Sequence, residues 1–484
     1  MSGHRTARVL VYTHRWLGIV GGILFIVWFV SGVVMMYARM PALGSAERLA
    51  RLPTIDASSI RVLPAGADEV TRLQLTTIEG RPAFRVTAKG RTQSVFADTG
   101  EKVPLVSAEE AAKIARAFDG GAHEVRYEAR LTDADQWSFG VRGRMPLHRL
   151  TVDDGQGTEI YVAENGGDVV LKTTFSGRFW GGAGAVLHWI YFTPFRRQGA
   201  LWDESIVWLS IAGTLMCIVG IVWGLWRFAP VREYRLRDHQ QWSPYAGWMR
   251  WHHYAGLIFG LVTTTWIFSG LLSMDPWDWH PSTAPTRDQR QHVSGGPLAI
   301  QDLSIDRVRR GVTAFGGVKE LDYVRFGGNY YAVAAAGLIQ LREDSSVADQ
   351  LPHDAIAKAA IDAMPGIAVE DQQWLAEYDA YYYDRDRQLA LPVLRARFLD
   401  PQRTWLYLDP RRGTIVRKEE RLTRLNRWLY HGFHSLDFPF LYYRRPLWDI
   451  VVIVLSIGGI VLSVTTISAA WKRVKRTVTS VSRS

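Results

Sequence analysis

The chain has a single cysteine, Cys217, among 484 residues. That excludes an intramolecular disulfide, a cysteine-ligated iron–sulfur cluster and a covalently attached haem, which needs C-x-x-C-H. Cys217 lies in an apolar run and is expected to pack. There is no H-E-x-x-H zinc helix, no G-x-S-x-G elbow and no dinucleotide fingerprint. Gly181-Gly-Ala-Gly184 lacks both a preceding strand and a following Lys-Ser/Thr, so it reads as close packing rather than a phosphate loop. The net charge of +10 is mostly carried by short segments beside apolar runs, where membrane orientation explains it. No nucleic-acid partner is expected.

Four windows are free of charge: Leu17 to Ala38, Ser205 to Trp226, Trp251 to Met274 and Ile450 to Trp471. Each has about the 20 residues a helix needs to cross ~30 Å of hydrocarbon. The expected fold class is a membrane protein, mainly α in the bilayer, with four transmembrane helices in two parallel pseudo-repeats and two periplasmic α+β domains. Membrane lipid is the first expected partner, and 20 Trp suit two interfacial belts. The first window runs past a signal-peptide core and reads as an uncleaved anchor.

Basic residues flank these windows at Arg5, Arg8 and Arg15, at Arg227, Arg232, Arg235, Arg237 and Arg250, and at Lys472, Arg473, Lys475 and Arg476. By the positive-inside rule these places, and both termini, are cytoplasmic and both long connections lie outside. The expected division is 1–38, the N-terminus and first span; 39–177, an outer domain; 178–228, an outer-face helix and second span; and 229–249, a cytoplasmic loop. It continues with 250–274, the third span; 275–424, a second outer domain; 425–471, an outer-face helix and fourth span; and 472–484, a tail.

Each outer domain reads as a helix followed by antiparallel strands. In the first, Ser107-Ala-Glu-Glu110 opens a helix with capping-box spacing, and Gln136 to Arg142 and Thr158 to Val162 are predicted strands. In the second, a helix runs from Pro352 to Ile361, Val393 to Phe398 and Thr404 to Asp409 are strands, and Pro410 to Gly413 is a turn. The acidic, Tyr-rich stretch Glu370 to Arg387 is expected as a solvated edge, with an outer ligand surface as the alternative.

The halves repeat. His14, Gly18, Gly22, Trp28, Ser31, Gly32 and Met36 match His252, Gly256, Gly260, Trp266, Ser269, Gly270 and Met274 at one constant offset. A second offset relates His188, Leu201, Trp202, Asp203, Leu209, Ser210, Ile211 and Gly213 to His434, Leu447, Trp448, Asp449, Leu455, Ser456, Ile457 and Gly459. The repeat therefore singles out four of the 13 histidines. A parallel pseudo-twofold axis sets His14 opposite His252 at the inner face and His188 opposite His434 at the outer face. Two facing imidazoles are the axial ligand set of a b-type haem, so two haems b are expected. Gly18, Gly22, Gly256 and Gly260 share the helix faces of the inner histidines and leave room for a flat macrocycle. Glycines four apart also form ordinary packing seams, and a boundary histidine also serves as an interfacial polar residue. His431, one turn before His434, is an alternative outer ligand, a propionate partner or a metal ligand. His253 points away from His252 around the helix, and its repeat partner is Arg15.

Leu10-Val-Tyr-Thr-His14-Arg-Trp-Leu-Gly18 resembles the opening of the PepSY-associated transmembrane family, and Trp251-His252-His-Tyr-Ala-Gly256 resembles its second copy. Val186-Leu-His188-Trp and Tyr430-His431-Gly-Phe-His434-Ser-Leu-Asp437 resemble the outer histidine segments. The resemblance implies PepSY-type outer modules. It further implies similarity to bacterial inner-membrane haem-containing ferric-siderophore reductases. Such a protein is an oxidoreductase of iron uptake. It takes electrons from a membrane quinol or a cytoplasmic reductase and delivers them to a ferric chelate or siderophore at the periplasmic face. The catalytic residues stay unassigned. The alternatives are a non-redox membrane protein whose PepSY modules bind a periplasmic peptide or protease, and a metal-handling transporter using His431 and His434.

Overall fold

The computed structural model describes the backbone of residues 2–66, 69–230, 234–236, 239–342 and 346–481. Arg232 and Arg237 fall outside these, as do the side chains of Lys472, Arg473, Lys475 and Arg476. Two compact units form. One gathers Met1–Met40, Phe179–His280 and Leu425–Ser484; the other gathers Pro41–Arg178 and Pro281–Arg424.

The first unit is built on four long helices: α1 Ser2–Met35, α2 Gly199–Arg227, α3 Trp248–Leu272 and α4 Leu447–Val481. Their outward positions are apolar, among them Trp208 and Val222 of α2, Ile258 and Leu261 of α3, and Val454 and Val461 of α4. Their inward positions include Ser210, Thr263, Ser269, Ser456 and Ser463, all buried. Without water inside a bilayer, such hydroxyls turn back onto their own helix. Ser456 donates to the carbonyl of Val452 at 2.8 Å and Ser463 to that of Gly459 at 2.9 Å. Phe25, Phe29, Met216, Cys217, Trp266 and Ile267 fill the centre, so Cys217 packs as expected. Glycines admit the aromatic rings: a Cβ on Gly459 would sit 2.3 Å from the Phe29 ring, and one on Gly458 2.3 Å from Phe259.

The expectation of four transmembrane helices is corrected here. Among the described residues three segments are singly long and apolar enough to cross a membrane: Gly199–Arg227, Trp248–Leu272 and Leu447–Ile467. The first apolar run is instead a pair, Arg5–Ile19 and Gly21–Met35, bent by 56°. A charge-free window counts residues and is blind to direction. Gly18, Gly21 and Gly22 cluster at the break, where missing side chains hold a helix axis poorly.

Strands from the two connections share one sheet. Strands Val70–Ile78, Arg81–Ala88 and Arg91–Phe96 of the first connection continue into Leu321–Phe326, Asn329–Ala334, Gly337–Gln340 and Val347–Ala348 of the second. The resulting seven-stranded sheet is joined through Leu73–Tyr323, Gln74–Asp322 and Leu75–Leu321. The joint is polar as well: Arg48 makes a bidentate pair with Glu320, and Gln74 donates to Glu320 at 2.9 Å and Asp322 at 3.0 Å. Local alternation reveals a strand but not its partner, so this joining was invisible in the sequence.

Each connection also carries a four-stranded antiparallel sheet with a helix against it, Ala108–Asp119 in the first and His353–Asp362 in the second. Ser107 caps the first helix, its hydroxyl accepting from Glu110 N at 3.1 Å. Strands Thr158–Ala163, Val393–Phe398 and Trp405–Asp409 lie where the alternation predicts them. Gln136 to Arg142 does not form a strand. Asp135 accepts from the N–H groups of Trp137 and Ser138, both at 3.0 Å, and winds Ser138–Arg144 into a 3₁₀ turn. Glu370 to Arg387 begins as an edge strand, Val369–Leu375, but then turns inward, with Tyr382 stacked 5.3 Å from Tyr407.

Candidate functional site

The four repeated histidines meet in two pairs. His14 of α1 and His252 of α3 have ring centroids 6.0 Å apart with planes at 43°. His188 and His434 are also 6.0 Å apart, with planes at 70°. Ser269, beside the second pair, lies on the same helix as His252, about 25 Å further along its axis at ~1.5 Å per residue. The pairs therefore sit toward opposite ends of the helices.

In every case Nδ1 is held by the backbone of a neighbouring helix. His14 Nδ1 donates to the carbonyl of Met216 at 2.9 Å. His252 Nδ1 lies 3.3 Å from the carbonyl of Leu462, with the hydroxyls of Thr465 at 3.1 Å and Thr466 at 3.2 Å. His188 Nδ1 meets the Trp28 carbonyl and the Ser31 hydroxyl, both at 3.1 Å. His434 Nδ1 meets the Trp266 carbonyl at 3.2 Å and the Ser269 hydroxyl at 3.1 Å. A carbonyl can only accept, so a neutral ring carries its proton on Nδ1 and keeps the Nε2 lone pair. This is how a protein orients a histidine that ligates metal. The repeat extends to these partners: Met216 and Leu462, Trp28 and Trp266, and Ser31 and Ser269 are equivalent positions.

The outer histidines are delivered by matching irregular segments. Wide π-helical turns, Gly182–Val186 and Arg427–Gly432, precede Leu187–Trp189 and Phe433–Ser435. Both segments end in left-handed residues, Ile190 at φ 54° and Leu436 at φ 50°. Trp202 Nε1 donates to the Trp189 carbonyl at 3.1 Å, and Trp448 Nε1 to the Ser435 carbonyl at 2.9 Å. This explains why the repeat keeps both tryptophans. The glycine run packs as expected: a Cβ on Gly184 would lie 3.2 Å from Met35 and Val34. Gly32 and Gly270 lie beside the outer rings, a Cβ there falling 3.4 Å from His188 Cε1 and 3.6 Å from His434 Cε1.

A cavity of about 1030 Å³ surrounds the inner pair. Gly18, Gly22, Gly256 and Gly260 all line it, together with Arg15, Arg227 and Tyr245. Its size reaches the upper end of cofactor sites. Gly220 and Thr466 escaped the sequence reading, although they are equivalent positions. Gly220 makes way for His14, since a Cβ there would come within 2.4 Å of Cε1. Thr466 instead contacts His252, so a search for matched residues passes over both.

The remaining histidines separate. His253 is buried with both nitrogens engaged, Nδ1 at 2.8 Å from Ser243 Oγ and Nε2 at 2.8 Å from the Gly224 carbonyl. It is a structural cross-link. His431 packs against Tyr430, 4.4 Å between centroids, while His434 is the residue that faces His188. Among the described residues no group of three or more His, Cys, Asp or Glu could hold a metal ion.

Apolar helices around a polar, histidine-bearing interior define a membrane protein. The sequence profile of the PepSY-associated TM region matches residues 11–341, more than half of the chain, and the protein belongs to that family. No curated protein matches it.

The two pairs fit haem as ligand sets. An imidazole nitrogen binds a transition metal at about 2 Å, so two rings on opposite sides of one ion stand roughly 6 Å apart between centroids. Both pairs have that spacing, and both keep Nε2 uncommitted to the Nδ1 anchors.

Proposed function

We propose that this protein is a di-haem b electron conduit of the bacterial inner membrane that reduces ferric siderophores or other ferric chelates at the periplasmic face. His14 and His252 would hold the inner haem and His188 and His434 the outer one. Bound there, haem supplies reversible one-electron chemistry. The carrying observation is the twice-repeated pair of histidines, each anchored through Nδ1 to an equivalent backbone carbonyl.

The chain's own groups have definite tasks in this reading. The Nδ1 bonds fix ring direction and keep the ligating nitrogen basic. Arg15 and Arg227 offer cationic partners to propionates at the inner cavity. Two sites near opposite ends of the helices divide a distance too great for one electron transfer. One electron from a quinol or a cytoplasmic reductase converts chelated Fe(III) to Fe(II), which hard oxygen ligands hold less tightly. Both termini are cytoplasmic in this arrangement and both connections periplasmic, as the basic flanks at Arg5, Arg8, Arg227 and Arg250 favour.

The test is the oxidised and dithionite-reduced visible spectrum of protein purified in mild detergent, with a pyridine haemochrome. A sharp b-type α band with about two haems per chain is the expected outcome. A colourless protein after expression with added haem would overturn the proposal and favour a PepSY module that binds a periplasmic peptide or protease.

A further inference from the structure

The seven-stranded sheet opens at its joint. Pairing between Val70–Ile78 and Leu321–Phe326 ends at Leu73–Tyr323, although both strands run on, to Val70 and to Phe326. A register shift between Val70 and Arg72 breaks the regular pairing of the first strand with its other neighbour at this point. A cavity of about 360 Å³ lies at the opening, lined also by the segment after helix Arg287–Ser294. Gly327 N donates to the Val293 carbonyl at 3.0 Å and Gly328 N to that of Ser294 at 2.9 Å, which tie this helix to the sheet.

The lining has three chemical features. Lys89, Arg287, Arg290 and Arg325 bring four cations, against one carboxylate, Glu69, which pairs with Arg287 at 2.9 Å. Val70, Val293, Leu298 and Ile415 bring apolar wall. Tyr323 lines the cavity as a buried aromatic ring at 3% exposure, with its hydroxyl sealed in the sheet core.

Arg325 is placed by its surroundings. Its Nη1 donates to the Pro297 carbonyl at 2.7 Å, and its guanidinium lies 5.6 Å from the centre of the Tyr330 ring. Gly296, at φ +123°, makes the passage, since a Cβ there would fall 2.7 Å from Arg325 Nη1.

We infer that this cleft binds a small organic carboxylate, with the cations toward its charged end and the apolar wall around its body. A bare inorganic anion has no use for the wall, and a neutral ligand has none for the cations. The inference does not rest on haem.

Calorimetric titration of the full chain in uncharged detergent tests it, with benzoate as probe and benzamide and inorganic phosphate as controls. Benzoate is expected to bind saturably and more weakly at high salt, and benzamide and phosphate not to bind. Arg325→Gln should weaken benzoate about tenfold, as loss of a charge-assisted bond does. Arg290→Gln at the exposed rim should weaken it several-fold. Absent benzoate binding, equal binding of benzamide or phosphate, or affinity unchanged in the folded variants would overturn the inference.

Discussion

His188 and His434 face each other with ring centroids 6.0 Å apart, each tied through Nδ1 to the backbone of a different helix. The tie for His188 comes from Trp28 and Ser31 of α1, and that for His434 from Trp266 and Ser269 of α3. The two rings are thus aimed independently and meet only because α1 and α3 are symmetry-related. A ligand bound between them would be sensitive to either half.

On the proposed reading, that dependence predicts how haem is lost. His188→Ala or His434→Ala should each remove one of two haems, and the double variant should remove no more. Combining His188→Ala with His252→Ala should remove both. Pyridine haemochrome against protein concentration measures this, and independent losses within one pair would contradict the pairing.

Gly220→Ala tests the inner site without touching a ligand. Its Cβ would overlap the His14 ring at 2.4 Å, so His14 must move off the Met216 carbonyl. Haem content should fall by about half, or the inner spectrum should change, because overpacking of this kind costs ~1–3 kcal/mol. Gly44→Ala, away from the cavity and with nothing within 4 Å of its Cβ, should leave the spectrum unchanged.

His253→Phe separates a structural histidine from a ligand. It strands the Gly224 carbonyl and Ser243 hydroxyl and should cost about 1–3 kcal/mol. The thermal midpoint should drop while haem per chain stays constant. Loss of one haem with an unchanged midpoint would return His253 to the ligands.

The second outer segment holds an ion pair that the repeat lacks. Arg427 Nη1 donates to Asp437 Oδ1 at 2.7 Å and Nη2 to the Asp437 carbonyl at 2.8 Å, with both side chains buried. Their equivalents in the first half are Gly181 and Tyr191. Asp437→Ala should take the carboxylate away from a buried guanidinium and cost roughly 3–5 kcal/mol, read as a fall in thermal midpoint. The double variant Arg427→Met with Asp437→Leu should recover most of it. Failure to recover would show that the two residues act separately.

Several features were legible because they follow from local pattern. Ser107 and Glu110 mark a helix start through one side-chain bond, and Thr158 to Val162 alternates at the period of a pleated strand. The Gln136 stretch shows the limit, since Asp135 captured the local N–H groups that a strand would have paired.

By itself the sequence determined the apolar helices, the internal repeat and the four histidines that repeat, because hydrophobic length and matched polar residues are properties of the chain. The tertiary structure alone decided the bend in α1, the fusion of strands from two connections into one sheet, and the carbonyls that hold each Nδ1. The fused sheet and the carbonyl anchors depend on which surfaces meet across long stretches of chain, and the bend on a direction that a count of apolar residues does not carry. A backbone carbonyl is present at every position, so no residue type announces the one that a histidine will use.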